Sequence, residues 1–281
     1  MLFLGPASRP PTDTPDHDQP RWLGHVKAAP APRLARYVDY YWISSWDRRG
    51  QPGLVASALL DPCVHLQVQD GRATVVGVVR GTLQVPLDGT SAIIGVRFRP
   101  GGFYPFVRRP VARWTRTSTP AEEVFGEASG VTAWASALWA AMADCRGGAE
   151  AHAALLGAHI DPFLESQLQE HDAVAEEVAR IVALIGARAD VRRIGDLAEA
   201  SGRSERTLHR IFLRYVGVSP AWVIRHYRLH AAAQRLIESP ATDMSTLAHE
   251  MGYSDQAHFI RAFRDTIGKT PGAYVKERAR S

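Results

Sequence analysis

Cysteine is almost absent: Cys63 and Cys145 are the only two among 281 residues. Two thiols build neither a disulfide framework nor a thiolate-type zinc site, so a reducing, cytoplasmic setting is expected. There is no run of about 18 apolar residues, and no membrane span is expected. The opening stretch MLFLGPASRPPTDTPDHDQP has neither the basic start nor the long apolar centre of an export signal. From Gly5 its Pro, Asp and Thr content reads as a disordered tail, taken as residues 1–20. Catalytic fingerprints are missing too. There is no nucleophile elbow, zinc-protease helix or dinucleotide-binding glycine pattern. FRPGGFY has no Lys-Ser/Thr after its glycines and reads as a turn. Cys63-Val64-His65 sets a thiol and an imidazole on one face of an expected strand, short of the three or four ligands of a metal site. That pair reads as a buried thiol beside a histidine. No catalytic residue, metal or cofactor is assigned, and the chain is not expected to be an enzyme.

A strong charge of one sign is also lacking, since the net charge is only +4. Its distribution is uneven. From His171 onward there are 17 Lys and Arg against 13 Asp and Glu, and the remainder is balanced at 16 of each. The whole excess therefore sits in the last 111 residues, which points to a polyanionic partner for that part.

What the chain does contain divides into two textures. After an aromatic-rich segment, APAPRLARYVDYYWISSW, come LVASALL, CVHLQVQ, ATVVGVVR, GTLQVPL and SAIIGVRFR, separated by Asp-Pro, Asp-Gly and Pro-Gly-Gly turns. Short apolar runs with such punctuation predict antiparallel strands in a sheet, sandwich or small barrel. After Pro120 the text becomes Ala-rich with helical spacing, and Trp134, Leu138, Trp139 and Met142 share a face. Those helices either cover a sheet face or supply a dimer contact. A boundary is expected near 167–172. Beyond it helices alone are predicted, over 173–187, 193–199, 205–215, 220–237, 245–251, 255–267 and 271–277. Ser204 and Ser219-Pro220 mark helix starts, and Gly202, Gly217, Gly252 and Gly268 mark ends.

The helical part repeats. IGDLAEASGRSERTLHRIFLRYVGVSP, from Ile194, aligns with MSTLAHEMGYSDQAHFIRAFRDTIGKTP, from Met244. Leu197, Ala198 and Gly202 recur as Leu247, Ala248 and Gly252, fifty residues on. Leu208, Arg210, Phe212, Gly217 and Pro220 recur fifty-one residues on, as Phe259, Arg261, Phe263, Gly268 and Pro271. Each copy is a short helix, a glycine turn and a longer helix, which is a helix-turn-helix. At about 100° per residue, Leu208, Ile211, Phe212 and Tyr215 share one face of the first longer helix. Opposite it lie Arg206, Arg210 and Leu213, with His209 and Arg214 on the flanks. In the second copy Phe259, Ala262, Phe263 and Ile267 face inward. Ala257, Arg261 and Arg264 lie outward, His258 and Ile260 flank, and Gln256 sits at the tip. A solvated face is the ordinary reading of one such helix. Two copies in phase suit the major groove, where arginine bonds guanine O6 and N7 and glutamine bonds adenine N6 and N7.

At these residues the chain resembles the AraC/XylS family of bacterial transcription regulators, most closely in GYSDQAHFIRAFRDTIGKTP. The resemblance covers about the last 110 residues. It implies a seven-helix domain over 171–281, two helix-turn-helix units and binding to operator or promoter DNA. It carries Arg206, His209 and Arg210 to the first reading helix, and Asp255, Gln256, Ala257, Ile260 and Arg261 to the second. Arg214, His258 and Arg264 are the expected phosphate contacts or solvated residues. The N-terminal text, through YYWISSW, LLDPCVHLQV and GVRFRPGGFYPFV, is similar to the β-rich sensing domains of one subgroup. The implied fold class is α+β: a cupin-like or related β-rich domain with helices over 21–165, then the helical domain. The expected function is sequence-specific regulation, modulated by a small-molecule effector or homodimerisation, with RNA polymerase as a further partner and no membrane. The alternatives are a nonspecific architectural DNA-binding protein or an enzyme fused to a DNA-binding domain.

Overall fold

The computed structural model describes residues 2–3 and 22–278. Among the described residues nine strands come first, apart from short helical interruptions: β1 (Leu2–Phe3), β2 (Leu23–Ala28), β3 (Val38–Asp47), β4 (Leu54–Leu59), β5 (His65–Gln69), β6 (Arg72–Val76), β7 (Thr82–Leu87), β8 (Thr90–Phe98) and β9 (Ser118–Pro120). Helices follow: α1 (Tyr104–Val107), α2 (Ala121–Phe125), α3 (Val131–Asp144), α4 (Ala149–Gln167), α5 (Ala173–Ala187), α6 (Ile194–Ser201), α7 (Glu205–Ile211), α8 (Pro220–Glu238), α9 (Met244–Glu250), α10 (Gln256–Ile267) and α11 (Pro271–Arg278). The seven from α5 onward match the expected helical set. The β-rich part before them meets the expected fold class. Leu2–Phe3 pairs in parallel with Ala58–Leu59, so this piece of the expected tail is a strand. The rest of that tail lies outside the described residues.

The strands form a six-stranded sheet, β2-β3-β8-β5-β6-β9, and a three-stranded sheet, β1-β4-β7. The aromatic-rich segment becomes β3, the longest of the described strands, with apolar side chains buried on both faces. Val38, Tyr41 and Ile43 enter the main core, whereas Trp42 and Trp46 join Ala56, Leu87 and Ile93 in a smaller cluster. The smaller cluster includes side chains from both sheets. The helices after Pro120 cover the opposite face: Val131, Ala135, Leu138, Leu156, Ile160 and Phe163 all belong to the main core. Trp134 stacks on Phe163 at 4.2 Å between ring centres and donates its indole N–H to the His159 carbonyl. Of the two roles open to these helices, covering the sheet is the one seen. Asp161 on α4 ties them to the strands by accepting hydrogen bonds from the Tyr41 hydroxyl at 2.6 Å and the Ala31 amide at 3.0 Å.

The main core does not stop at the expected boundary. It continues through Val178 and Val182 of α5, Leu197 of α6 and Leu208 of α7, and on through Phe212 to Val223 and Ile224 at the start of α8. The second unit keeps a core of its own, made of Leu229 and Leu236 from α8 with Leu247, Phe259, Phe263, Ile267 and Tyr274.

Two predictions follow from the sheets. Gly95 on β8 lies opposite Trp42 on β3, and a methyl group there would collide with the indole. Gly95→Ala is expected to lower stability by about 1–3 kcal/mol, read by chemical denaturation. An unchanged midpoint would show that Trp42 has room to move. His65 is fully buried, and burial first, then the Arg97 charge, push its imidazole down to about 3. Its neutral form stabilises the fold above the ordinary value near 6.5, and that contribution is lost as pH falls from there toward 3. Between pH 6.5 and 4 the melting temperature of His65→Gln is expected to fall less steeply than that of the parent. A steeper fall would contradict the assignment.

Candidate nucleic-acid interface

Each helix-turn-helix is held by its own caps. In the first, Gly202 ends α6 in the left-handed region at φ 65°, where a side chain would be strained. The Ser204 hydroxyl then accepts the Thr207 amide at 3.3 Å and starts α7. In the second, Asp243 caps α9 through the Thr246 amide at 2.8 Å, and Gly252 turns the chain at φ 69°. Asp255 caps α10 by accepting the His258 amide at 2.8 Å. The inward residues are those the periodicity demands: Leu208, Ile211, Phe212 and Tyr215 in the first unit, and Phe259, Phe263 and Ile267 in the second, are all buried.

The outward residues are largely where they are expected. Arg206, His209 and Arg210 are exposed on α7, and Gln256, Ala257, His258, Arg261 and Arg264 are exposed on α10. His258 keeps its ring edge-on to Tyr253 at 5.1 Å, and Arg264 lies 3.9 Å from Asp265. Three expected contacts have other occupations. The carboxylate of Asp255 is engaged as the cap of α10; the His258 amide and then the Ser254 hydroxyl hold it below the usual range. Ile260 is half-buried against the second core. Arg214 is turned toward the β-rich part, where its guanidinium lies 4.9 Å from the Tyr104 ring centre and its Nε donates to the Tyr104 hydroxyl at 2.8 Å.

Arg214 turns because the helix changes there. The expected single helix over 205–215 is α-helical only to Ile211; Phe212–Val216 form a π-helical turn, closed by the Gly217 amide on the Phe212 carbonyl at 2.8 Å. The wider turn swings Tyr215 onto Tyr104, 4.2 Å between ring centres. The Tyr215 hydroxyl reaches the buried Asp172 carboxylate at 3.3 Å. Burial and that neighbouring charge push the phenol up to about 12. Asp172 also caps α5, lies 3.8 Å from Arg108, and donates its own amide to the Tyr37 hydroxyl at 3.1 Å. Thr115 adds a hydrogen bond to the Gly217 carbonyl at 2.6 Å.

The second unit meets the β-rich part differently. Arg80 and Gly81, in the loop before β7, join Trp222 and Arg225 of α8 and His258, Arg261 and Asp265 of α10 around a cleft of about 360 Å³. Arg80 and Arg225 are exposed cations beside Arg261 that the sequence reading missed. The period of α8 places Arg225 opposite its core face, a usable signal. Nothing local marks Arg80, which only the fold brings to α10. Among the described residues no helix is long and apolar enough to cross a membrane.

These two capped units, with cationic outer faces, are a tandem helix-turn-helix domain. Residues 197–277 match a family model described as a helix-turn-helix domain, and residues 26–120 match one described as a domain of unknown function, DUF6597. The transcriptional activator NphR of a Rhodococcus species is 39% identical over 89 residues, 31% of this chain and 25% of that protein. A putative AraC-like transcription regulator of Streptomyces lividans is 34% identical over 83 residues, 30% of this chain and 27% of that one. A solved AraC-type regulator from Chromobacterium violaceum is 27% identical, covering 37% of this chain and 92% of that chain with a TM-score of 0.34. Residues 197–277 are thus a helix-turn-helix domain, similar over that part of the chain to AraC-like transcription regulators. The chain spans only about a quarter of the length of the two curated relatives just named.

The separate core of the second unit sets a prediction. Phe263→Ala should remove about 3–5 kcal/mol from that unit. Amide protection is expected to fall across α9–α11 and to persist across α5–α7. A uniform loss would mean that the two cores melt as one.

Proposed function

We propose that the chain is a sequence-specific DNA-binding transcription regulator, not an enzyme, working in the cytoplasm. The observation that carries the reading is the repeated pair of capped, cationic helices α7 and α10, joined by α8. At 19 residues α8 is about 28 Å long, close to one DNA turn of about 34 Å. Arg206, His209 and Arg210 would enter one major groove, and Gln256, Ala257 and Arg261 the next, with His258 at the groove edge toward the phosphates. Arg264, Arg225 and Arg80 would meet the phosphates. Asp255, Ile260 and Arg214 belong instead to caps and packing.

The proposed control runs through the β-rich part. Between the two sheets lies an apolar cavity of about 50 Å³ whose lining includes Trp42, Trp46, Leu83, Leu87 and Ile93, with Ser44 and Gln67 as its polar groups. A small apolar effector larger than that space would have to part the sheets and displace β7. The first residue of β7, Thr82, lies close to Gly268 at the end of α10, and Gly81 lies close to Asp265. Entry of the effector would therefore bear directly on the second reading helix. A second copy of the chain and RNA polymerase are the macromolecular partners this reading adds.

The test is selection of genomic fragments by the full-length protein at near-physiological salt, followed by binding to the recovered motif. Arg210→Ala and Arg261→Ala are each expected to cost about 1–3 kcal/mol on the specific site and to relax preference at one position. Arg80→Ala should weaken binding to all sequences alike and reduce the salt slope by about one. Recovery of fragments without a motif, or unchanged preference in both reading-helix variants, would favour the architectural alternative.

A further inference from the structure

Asp61 lies in the turn after β4, in the β-rich part. His226 and His230 lie one turn apart on α8, the helix that joins the two helix-turn-helix units. Each brings one ligating atom to a common point, all within 4.8 Å of one another. Asp61 and His226 are buried, only 3% and 2% exposed, and His230 is half-buried. Both ring nitrogens of His226 and Nε2 of His230 have no hydrogen-bond partner. A buried polar atom left in that state costs about 1–3 kcal/mol, so three such atoms in one place require an explanation.

The surroundings narrow that explanation. Trp222 stacks on His226 at 4.9 Å, and the His230 ring lies 4.0 Å from it, so packing restricts the rings. Arg97 donates to Oδ2 of Asp61 and is itself held near Asp39 at 3.4 Å and hydrogen-bonded to the Tyr40 hydroxyl at 3.1 Å. Asp61 is thus oriented by a buried cation, with its second oxygen left for another role, as carboxylate ligands commonly are. Each imidazole can offer one lone-pair nitrogen and the oriented carboxylate one oxygen, so the cluster presents two nitrogens and an oxygen to a common point.

We propose that Asp61, His226 and His230 bind one divalent transition-metal ion of the zinc class, with water completing the coordination. Two histidines at i and i+4 on a helix present adjacent ligands, and a two-nitrogen, one-oxygen set suits zinc-class ions. Metal–ligand bonds near 2.1 Å place tetrahedral ligand atoms about 3.4 Å apart, so atoms now within 4.8 Å close in by up to about 1.4 Å. The bound ion ties the turn after β4 to α8, and so the β-rich part to the segment between the two helix-turn-helix units. The site does not depend on what the chain does with DNA.

The experiment uses the full-length protein freed of metal by chelation. Cobalt(II) is added and followed by its visible absorption, zinc(II) is then titrated by calorimetry, and melting is recorded with and without zinc. The expected result is one ion per chain, cobalt bands of a four- or five-coordinate nitrogen–oxygen site that zinc displaces, and a melting temperature that rises with zinc. His230→Gln and Asp61→Asn should each weaken zinc binding at least about tenfold and abolish the melting shift. His249→Gln, on α9 away from the cluster, should change neither. His230→Gln decides if Asp61→Asn, which disturbs the partner of Arg97, fails to fold. No cobalt bands and no zinc heat at tens of micromolar would overturn the proposal. So would binding that survives His230→Gln undiminished, because the ion would then lie on other histidines.

Discussion

The arrangement of this protein hangs on one buried carboxylate. Asp172 begins α5, and a charge in that position must be satisfied on every side to be tolerated. Its neighbours come from three places: the amides of Val174 and Ala175 in its own helix, the hydroxyl of Tyr215 from the first helix-turn-helix, and Arg108 from the β-rich part. The Asp172 amide then binds Tyr37, which places the loop before β3 against the same point. Tyr104 stacks on Tyr215 beside it and holds Arg214. Once these groups are gathered, the apolar side chains around them close into a core shared by the sheet, the covering helices and the first helix-turn-helix.

The second unit is built on other terms. Its core is complete without the sheet, and α8 links it to the rest by contributing Val223 and Ile224 to one core and Leu229 and Leu236 to the other. Its described contacts with the β-rich part are small: the Arg80–Thr82 loop against the end of α10, and the Asp61 turn near His226 and His230. Two units built on one sequence pattern thus have unequal attachments. A signal from the sheets has little scope to move α7 alone, because α7 lies in their core. The loop before β7 and the Asp61 turn are the places where such a signal meets the second unit.

Legibility from the sequence followed the range of the interaction. Caps, glycine turns and the i, i+3, i+4 pattern act within one or two helical turns, so both helix-turn-helix units were readable nearly to the residue. The outward arginines followed from the same period. β3 was harder, because a strand buried on both faces does not alternate, and VDYYWISSWD shows no period to read. The π-helical turn at Phe212 was not legible at all. Local preference there supports a plain helix, and the turn coincides with the docking of Tyr215 and Val216 against residues about a hundred positions earlier.

The amino-acid sequence by itself determined the two textures of the chain, the tandem repeat, the caps, and which face of α7 and of α10 turns inward. Those features rest on neighbours in the chain, whose spacing is set by covalent geometry. The tertiary structure decided which outward residues stay free. It half-buried Ile260, turned Arg214 onto Tyr104, and brought Arg80 beside Arg261. It also placed Asp61 against a histidine pair some 165 residues away in sequence. Proximity of that kind depends on how layers pack. Packing is a property of summed surfaces rather than of any local pattern, so no single stretch of the sequence carries it.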